Sequence, residues 1–190
     1  MPAELDRRDC LLAVDVQKDF CPGGALAVRG ADAVVPRLNR WMRDATAAGA
    51  KVVASRDWHP DGHVSFAERG GDWPRHCVRG TGGAEYHDDL ELPNEAVVVS
   101  KGTEADRDAY SAFDGTGLAE RLREWGVERV FVGGLALDYC VKATVLDGLA
   151  AGFDVHLIRD ATRPVEVSPG DGDRAIDELV RAGARLEEER

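Results

Sequence analysis

The sequence predicts an α/β fold with three layers, α/β/α, built around a central, mostly parallel sheet. Three observations carry this. Short apolar runs of strand length recur along the 190 residues, and segments with apolar residues three and four apart lie between them. The runs are apolar throughout rather than alternating, which is the pattern of strands covered on both faces. One domain over residues 1–190 is expected, since single cores commonly extend to about 100–200 residues.

Residues 10–15 (CLLAVD) form the first strand, an apolar run that ends in a carboxylate. Asp32 is placed to cap a helix over 33–48, in which Val34, Val35, Leu38, Trp41 and Met42 share a face, and Gly49 closes it. Strands follow over 51–56 (KVVASR) and 96–101 (AVVVSK). A helix over 117–125 leads to a strand over 129–133 (RVFVG), a helix over 138–151 and a strand over 153–158. The last helix covers 171–182, and 184–187 adds a short edge strand. Ligands of open parallel sheets bind beyond the carboxyl ends of the strands. Asp15, Asp57, Lys101 and the turn at Gly133 and Gly134 are therefore expected to converge on one crevice.

Charge excludes several function classes. With 24 Lys and Arg against 35 Asp and Glu, the formal charge is −11, and no basic block interrupts it. Such a surface repels phosphate backbones and anionic bilayers, so neither nucleic acid nor membrane is an expected partner. No apolar run approaches the ~20 residues of a membrane span, and MPAELDRRDC lacks a signal-peptide pattern. A cytoplasmic location is expected. Cys10, Cys21, Cys77 and Cys140 form no C-x-x-C pair, which argues against a zinc ribbon or thioredoxin-type site, and they are expected as thiols. Neither G-x-G-x-x-G nor a P-loop is present.

Residues 57–95 break the alternation of elements. They are rich in Gly and Pro and carry Trp58, Trp73 and four of the five histidines, His59, His63, His76 and His87. Loops longer than about 12–15 residues are usually functional or disordered, and this one reads as functional. Asp57 and His59 form a D-x-H pair whose side chains point the same way in an extended segment, with His63 and His76 further on. A carboxylate with imidazoles suits Zn²⁺, Fe²⁺ or Mn²⁺, although Asp and His are also ordinary solvated loop residues.

Cys140 stands at the start of a predicted helix, where backbone amides favour a thiolate and could hold an oxyanion. Asp15 is the best-placed base. The competing reading is a buried small hydrophobe, the fate of most free cysteines. Lys101, just past VVVS, either enters the crevice to stabilise charge there or is a snorkelling strand-end lysine.

Taken together, DVQKDF, RDWHPDGHVSF, WPRHCVRGT with GAEYH, KGT followed by AYSAF, and GLALDYCVKAT resemble the nicotinamidase/pyrazinamidase branch of the isochorismatase-like cysteine hydrolases, over nearly the whole chain. The resemblance implies an isochorismatase-like fold with Rossmann-like topology. It implies hydrolysis of nicotinamide, or a related aromatic amide, to the acid and ammonia through a cysteine thioester, in NAD salvage.

By position, Asp15, Lys101 and Cys140 match the catalytic triad, and Asp57, His59 and His76 match ligands of one divalent metal ion, zinc ahead of iron or manganese. His63 and Ser65 rank below these as further contributors to the metal shell. Phe20, Trp73 and Tyr110 match the aromatic walls of the ring pocket, joined by Leu135 and Ala136 as substrate-binding residues. A cis peptide is implied at Leu135–Ala136, with the amides of Ala136 and Cys140 forming the oxyanion hole.

One departure stands out: Leu137 occupies a position that is commonly Thr in the family. Arg75, inside W-P-x-H-C, adds a cation near the expected site. Rival readings are another amide or carbamoyl hydrolase of the superfamily, and a non-catalytic metal- or ligand-binding protein on the same fold. A homo-oligomer is compatible with the sequence, because pattern alone does not separate a surface patch from the core.

Overall fold

The computed structural model describes residues 4–188; the ends of the expected 1–190 domain, residues 1–3 and 189–190, lie outside the described residues. The apolar runs become strands β1 (Asp9–Val14), β2 (Lys51–Asp57), β3 (Val97–Lys101), β4 (Arg129–Leu135), β5 (Asp154–Arg163) and β6 (Arg185–Glu187). The periodic segments become helices α1 (Val34–Ala48), α2 (Leu118–Glu124), α3 (Lys142–Ala150) and α4 (Asp171–Ala182). The strands form one sheet in the order β3-β2-β1-β4-β5-β6, and every pair is parallel.

β1 lies inside this sheet because all six of its residues are buried. Leu11 and Ala13 pack toward one face, against Leu38, Trp41 and Met42 of α1. Cys10, Leu12 and Val14 pack toward the other, with Leu122 of α2, Val145 of α3 and Leu179 of α4. These are the three layers predicted from pattern. At the start of β1, the buried Asp9 carboxylate accepts two hydrogen bonds from Arg129, both 2.7 Å, and so holds β1 to β4 with its charge compensated. No helix among the described residues is long and apolar enough to cross a membrane.

Some boundaries differ for physical reasons. Asp32 does not cap α1; it lies in a 3-10 turn, Ala31–Ala33, that leads into the helix, and Ala33 at the N-cap makes no side-chain bond. Gly49 does end α1 in a left-handed conformation, as expected. β4 runs through Gly133 and Gly134 instead of turning there. Gly134 has φ 124°, and a Cβ at that position would stand 2.1 Å from the Val14 carbonyl oxygen, so only glycine allows β1 and β4 to approach so closely. The helix expected over 138–151 divides into a π-helical turn, Leu137–Val141, followed by α3.

Strand order reverses between β1 and β4, the switch point where open parallel sheets leave a crevice. Asp15 follows β1, Asp57 ends β2, Lys101 ends β3, and the Leu137–Val141 turn follows β4. Four separate strands thus deliver two carboxylates, an ammonium and a thiol to one edge.

Candidate active site

The expected convergence is observed. Lys101 Nζ lies 2.7 Å from Asp15 Oδ2, 2.6 Å from Asp57 Oδ1 and 3.4 Å from Cys140 Sγ. All four residues are buried. Asp15 is left-handed at φ 49°, and Ser55 on β2 donates a hydrogen bond to its Oδ1 at 2.7 Å. Ligand atoms of Asp15, Asp57 and Cys140 all lie within 4.8 Å of one another, so Cys140 Sγ is within reach of the Asp15 carboxylate. The Lys101 ammonium occupies their midst and leaves no role there for a second cation.

Electrostatics follow from this burial. Desolvation raises the Asp15 carboxyl above its ordinary value, with the nearby Lys101 charge pulling the other way. Burial pushes the Cys140 thiol well up, again opposed by Lys101. For Lys101 burial acts downward, but the Asp15 and Asp57 carboxylates overcome it and hold the ammonium charged. Burial would likewise raise Asp57, yet Lys101 and His59 bring it below the usual carboxylate range. The resting sulfur is therefore a thiol beside a base of raised proton affinity. This corrects the expectation that a helix N-terminus lowers the Cys140 pKa: the residue sits within the π turn, before α3 starts, and desolvation dominates.

Asp57 connects this cluster to a second one. Its Oδ2 is 3.5 Å from His59 Nε2 and 3.9 Å from His76 Nε2. Nδ1 of His59 bonds the Gly102 carbonyl at 2.8 Å, and Nδ1 of His76 bonds the Pro74 carbonyl at 2.7 Å. A carbonyl only accepts, so both Nδ1 atoms donate a proton there and both Nε2 atoms face Asp57. Ligand atoms of Asp57, His59 and His76 lie within 4.8 Å of one another. One carboxylate and two oriented imidazoles, each held by an outer hydrogen bond, are a donor set that fits a borderline divalent cation.

His63 and Ser65 are placed differently. The His63 ring stacks on His59 with centroids 4.0 Å apart, its Nε2 bonds the Arg107 carbonyl at 3.0 Å, and its Nδ1 accepts from Ser65 Oγ at 2.7 Å. Both His63 nitrogens are thus engaged, and the pair supports His59 from behind, with Ser65 also reaching the cavity wall.

In front of Cys140 and the histidines opens a cavity lined by Phe20, Trp73, Tyr110, Ala136 and Cys140 among others. Trp73 Nε1 donates to Tyr110 Oη at 3.0 Å, which fixes two walls to each other. The Leu135–Ala136 peptide is cis, as the resemblance implied. Leu135, expected beside the substrate, is instead fully buried in the core and does not line the cavity. Arg75 also points elsewhere, pairing with Asp61 and Glu68 on the surface. Trp58 stacks under Arg56, 3.7 Å from the ring centre, outside the cavity.

Residues that sequence reasoning passed over hold this arrangement together. Gln17 donates to the carbonyls of Asp57 and Ala84 and accepts from the Asp57 amide, each at 2.8 Å, which locks the end of β2. Asp19 Oδ2 accepts the Cys77 amide at 2.7 Å, next to His76. Asp138 accepts the amides of Val165 and Glu166 at 2.8 and 3.0 Å and ties the Cys140 turn to the segment after β5. Tyr139 adds a fourth aromatic side chain to the wall, its ring 4.9 Å from Trp73. The polar members of DVQKDF and LDYC were visible signals, but their partners are 27 to 67 residues away in sequence.

Leu137 is 4% exposed and packs in the core cluster with Val14 and Val99, not in the cavity. Leu137→Thr is expected to lose about 1–3 kcal/mol of stability, because it buries a hydroxyl and forfeits packing. Denaturant titration measures this; unchanged stability would show that the turn readily accommodates Thr.

Comparison with known proteins agrees with this geometry. Residues 9–188 match the isochorismatase domain family. The nicotinamidase of Escherichia coli (strain K12) is 41% identical, over 93% of this chain and 92% of its own length. A pyrazinamidase of Pyrococcus horikoshii, solved in complex with zinc, superposes with a TM-score of 0.92 at 48% identity, covering 96% of this chain and 99% of that one. PnC1 from L. infantum, solved in complex with nicotinate, gives 0.90 at 37% identity, over 99% and 96% of the two chains. The chain belongs to the isochorismatase family, on the branch that holds the nicotinamidases and pyrazinamidases.

Proposed function

We propose that this hydrolase, which acts on amide C–N bonds, converts nicotinamide to nicotinate and ammonia through a thioester on Cys140. The observation that carries the reading is the position of Lys101 Nζ, in contact with Asp15, Asp57 and Cys140, of which Asp57 and Cys140 line an aromatic-walled cavity. A buried thiol beside a carboxylate of raised proton affinity and a fixed ammonium is suited to nucleophilic catalysis, and a binding module has no use for it.

In this mechanism Asp15 takes the Cys140 proton as Sγ attacks the carboxamide carbon. Lys101 offsets the negative charge gathered on Asp15 and the sulfur. The carbonyl oxygen becomes an oxyanion directed at the backbone amides of Ala136 and Cys140. Asp15 returns the proton to the amide nitrogen, the C–N bond breaks, and ammonia leaves. Water then attacks the thioester, giving up a proton to Asp15. The C–S bond breaks to release the acid, and Asp15 reprotonates Cys140.

Phe20, Trp73 and Tyr110 clamp the ring and hold the carboxamide against Sγ, which converts binding energy into orientation. Asp57, His59 and His76 would hold one divalent cation, zinc ahead of iron or manganese, with the Ser65–His63 pair bracing His59. Such an ion supplies a Lewis-acid anchor for a heteroaromatic nitrogen lone pair.

The test is release of ammonia and nicotinate from nicotinamide, with chelator-treated and metal-restored protein side by side. Turnover that falls at least tenfold on chelation and returns with metal is expected. Equal activity in both samples would remove the metal from the reading, and no activity in either would remove nicotinamide.

A further inference from the structure

Asp108 is the one carboxylate on the cavity wall that neither the catalytic cluster nor the candidate metal ligands use. Its Oδ1 accepts the Ala109 amide hydrogen at 2.9 Å, and it joins no ion pair among the described residues. The neighbouring cations are engaged elsewhere: Arg107 with Asp114, Arg69 with Asp106, and Arg75 with Asp61 and Glu68. Its field nonetheless reaches the cavity. Burial raises the Tyr110 hydroxyl, the bond from Trp73 restrains it, and the Asp108 charge adds to the rise. The same charge acts on the His63 ring behind His59.

The reaction changes the charge of its ligand. A neutral aromatic amide enters, and an aromatic carboxylate, anionic at neutral pH, must leave. The Lys101 ammonium and a bound divalent cation would both favour the anion. An uncompensated carboxylate on the wall, behind a surface of formal charge −11, opposes it.

We propose that Asp108 is a specificity-determining residue that makes the cavity discriminate by charge. It favours neutral aromatic amides over aromatic carboxylates, and so weakens retention of the acid product. This rests on reading the cavity as the site of an aromatic amide.

The experiment measures dissociation constants of nicotinamide and nicotinate by calorimetry on metal-loaded wild type, Asp108→Asn and Asp108→Glu. Benzamide and benzoate serve as a second pair of the same charge difference. The ratio of acid to amide dissociation constant is expected to fall about three- to tenfold in Asp108→Asn, the size of one partly screened charge at cavity distance. It should stay near the wild-type ratio in Asp108→Glu, and the Asn effect should shrink as salt rises.

A ratio unchanged in Asp108→Asn, or shifted equally in Asp108→Glu, overturns the proposal. Absence of nicotinamide turnover with a charge-dependent benzoate ratio would sink the substrate assignment and leave the filter standing. Intact turnover with a charge-independent ratio would sink the filter alone.

Discussion

Cys140→Ala is expected to reduce kcat by at least about 10³-fold, the scale on which enzymes lose turnover when their nucleophile is removed. The fold should survive. The substitution deletes one buried sulfur whose hydrogen bond from Lys101 is a long one, 3.4 Å, and leaves the ion pairs of Lys101 with both carboxylates in place. Initial rates on nicotinamide, a thermal melt and metal content together make the test. A wild-type reaction quenched in acid should also show a covalent adduct of the acyl group by mass spectrometry, absent from the variant. Turnover within about tenfold of wild type, in a folded variant, would remove Cys140 from its role.

Lys101→Met is expected to be the most damaging single change to both stability and turnover. The Lys101 ammonium is 0% exposed and stands between the carboxylates of Asp15 and Asp57. Methionine fills similar volume but leaves two buried acids facing each other, a loss of about 3–5 kcal/mol for one partner removed from a buried pair. Denaturant unfolding at neutral pH measures it.

Linkage gives a second signature. The folded-state pKa of Lys101 is raised above its ordinary 10.5, so its contribution is complete below 10.5 and is lost as pH climbs through the folded value. The stability gap between wild type and Lys101→Met should therefore narrow in strong alkali. Equal stabilities at neutral pH would show that the ammonium is not what holds the two carboxylates together.

The architecture was legible because it depends on local pattern. Continuous apolar runs such as CLLAVD could only be strands covered on both sides, and the period of Val34, Leu38, Trp41 and Met42 could only be a helix on one of those sides. Strand ends were legible too, and they placed Asp15, Asp57 and Lys101 at one edge. Ends of elements were less so. Asp32 had the chemistry of a cap, but it lies within the 3-10 turn that leads into α1. Gly133 and Gly134 looked like a turn, but they continue β4, and Gly134 serves its close approach to β1.

The amino-acid sequence by itself determined the layer order, the cluster of residue types in 57–95, and, through ordered motifs, the family. Only the tertiary structure decided which atoms meet. Asp57 faces Lys101 with one oxygen and two imidazoles with the other, His63 is held as a brace by its own hydrogen bonds, and Leu135 and Leu137 turn into the core. It also decided that Cys140 is a buried thiol and that Asp108 joins no ion pair among the described residues. The physical reason is one of range. Strand and helix patterns depend on neighbours a few residues apart, whereas a carboxylate's partner, a thiol's burial and a charge's compensation are set by segments that meet only after the sheet has formed.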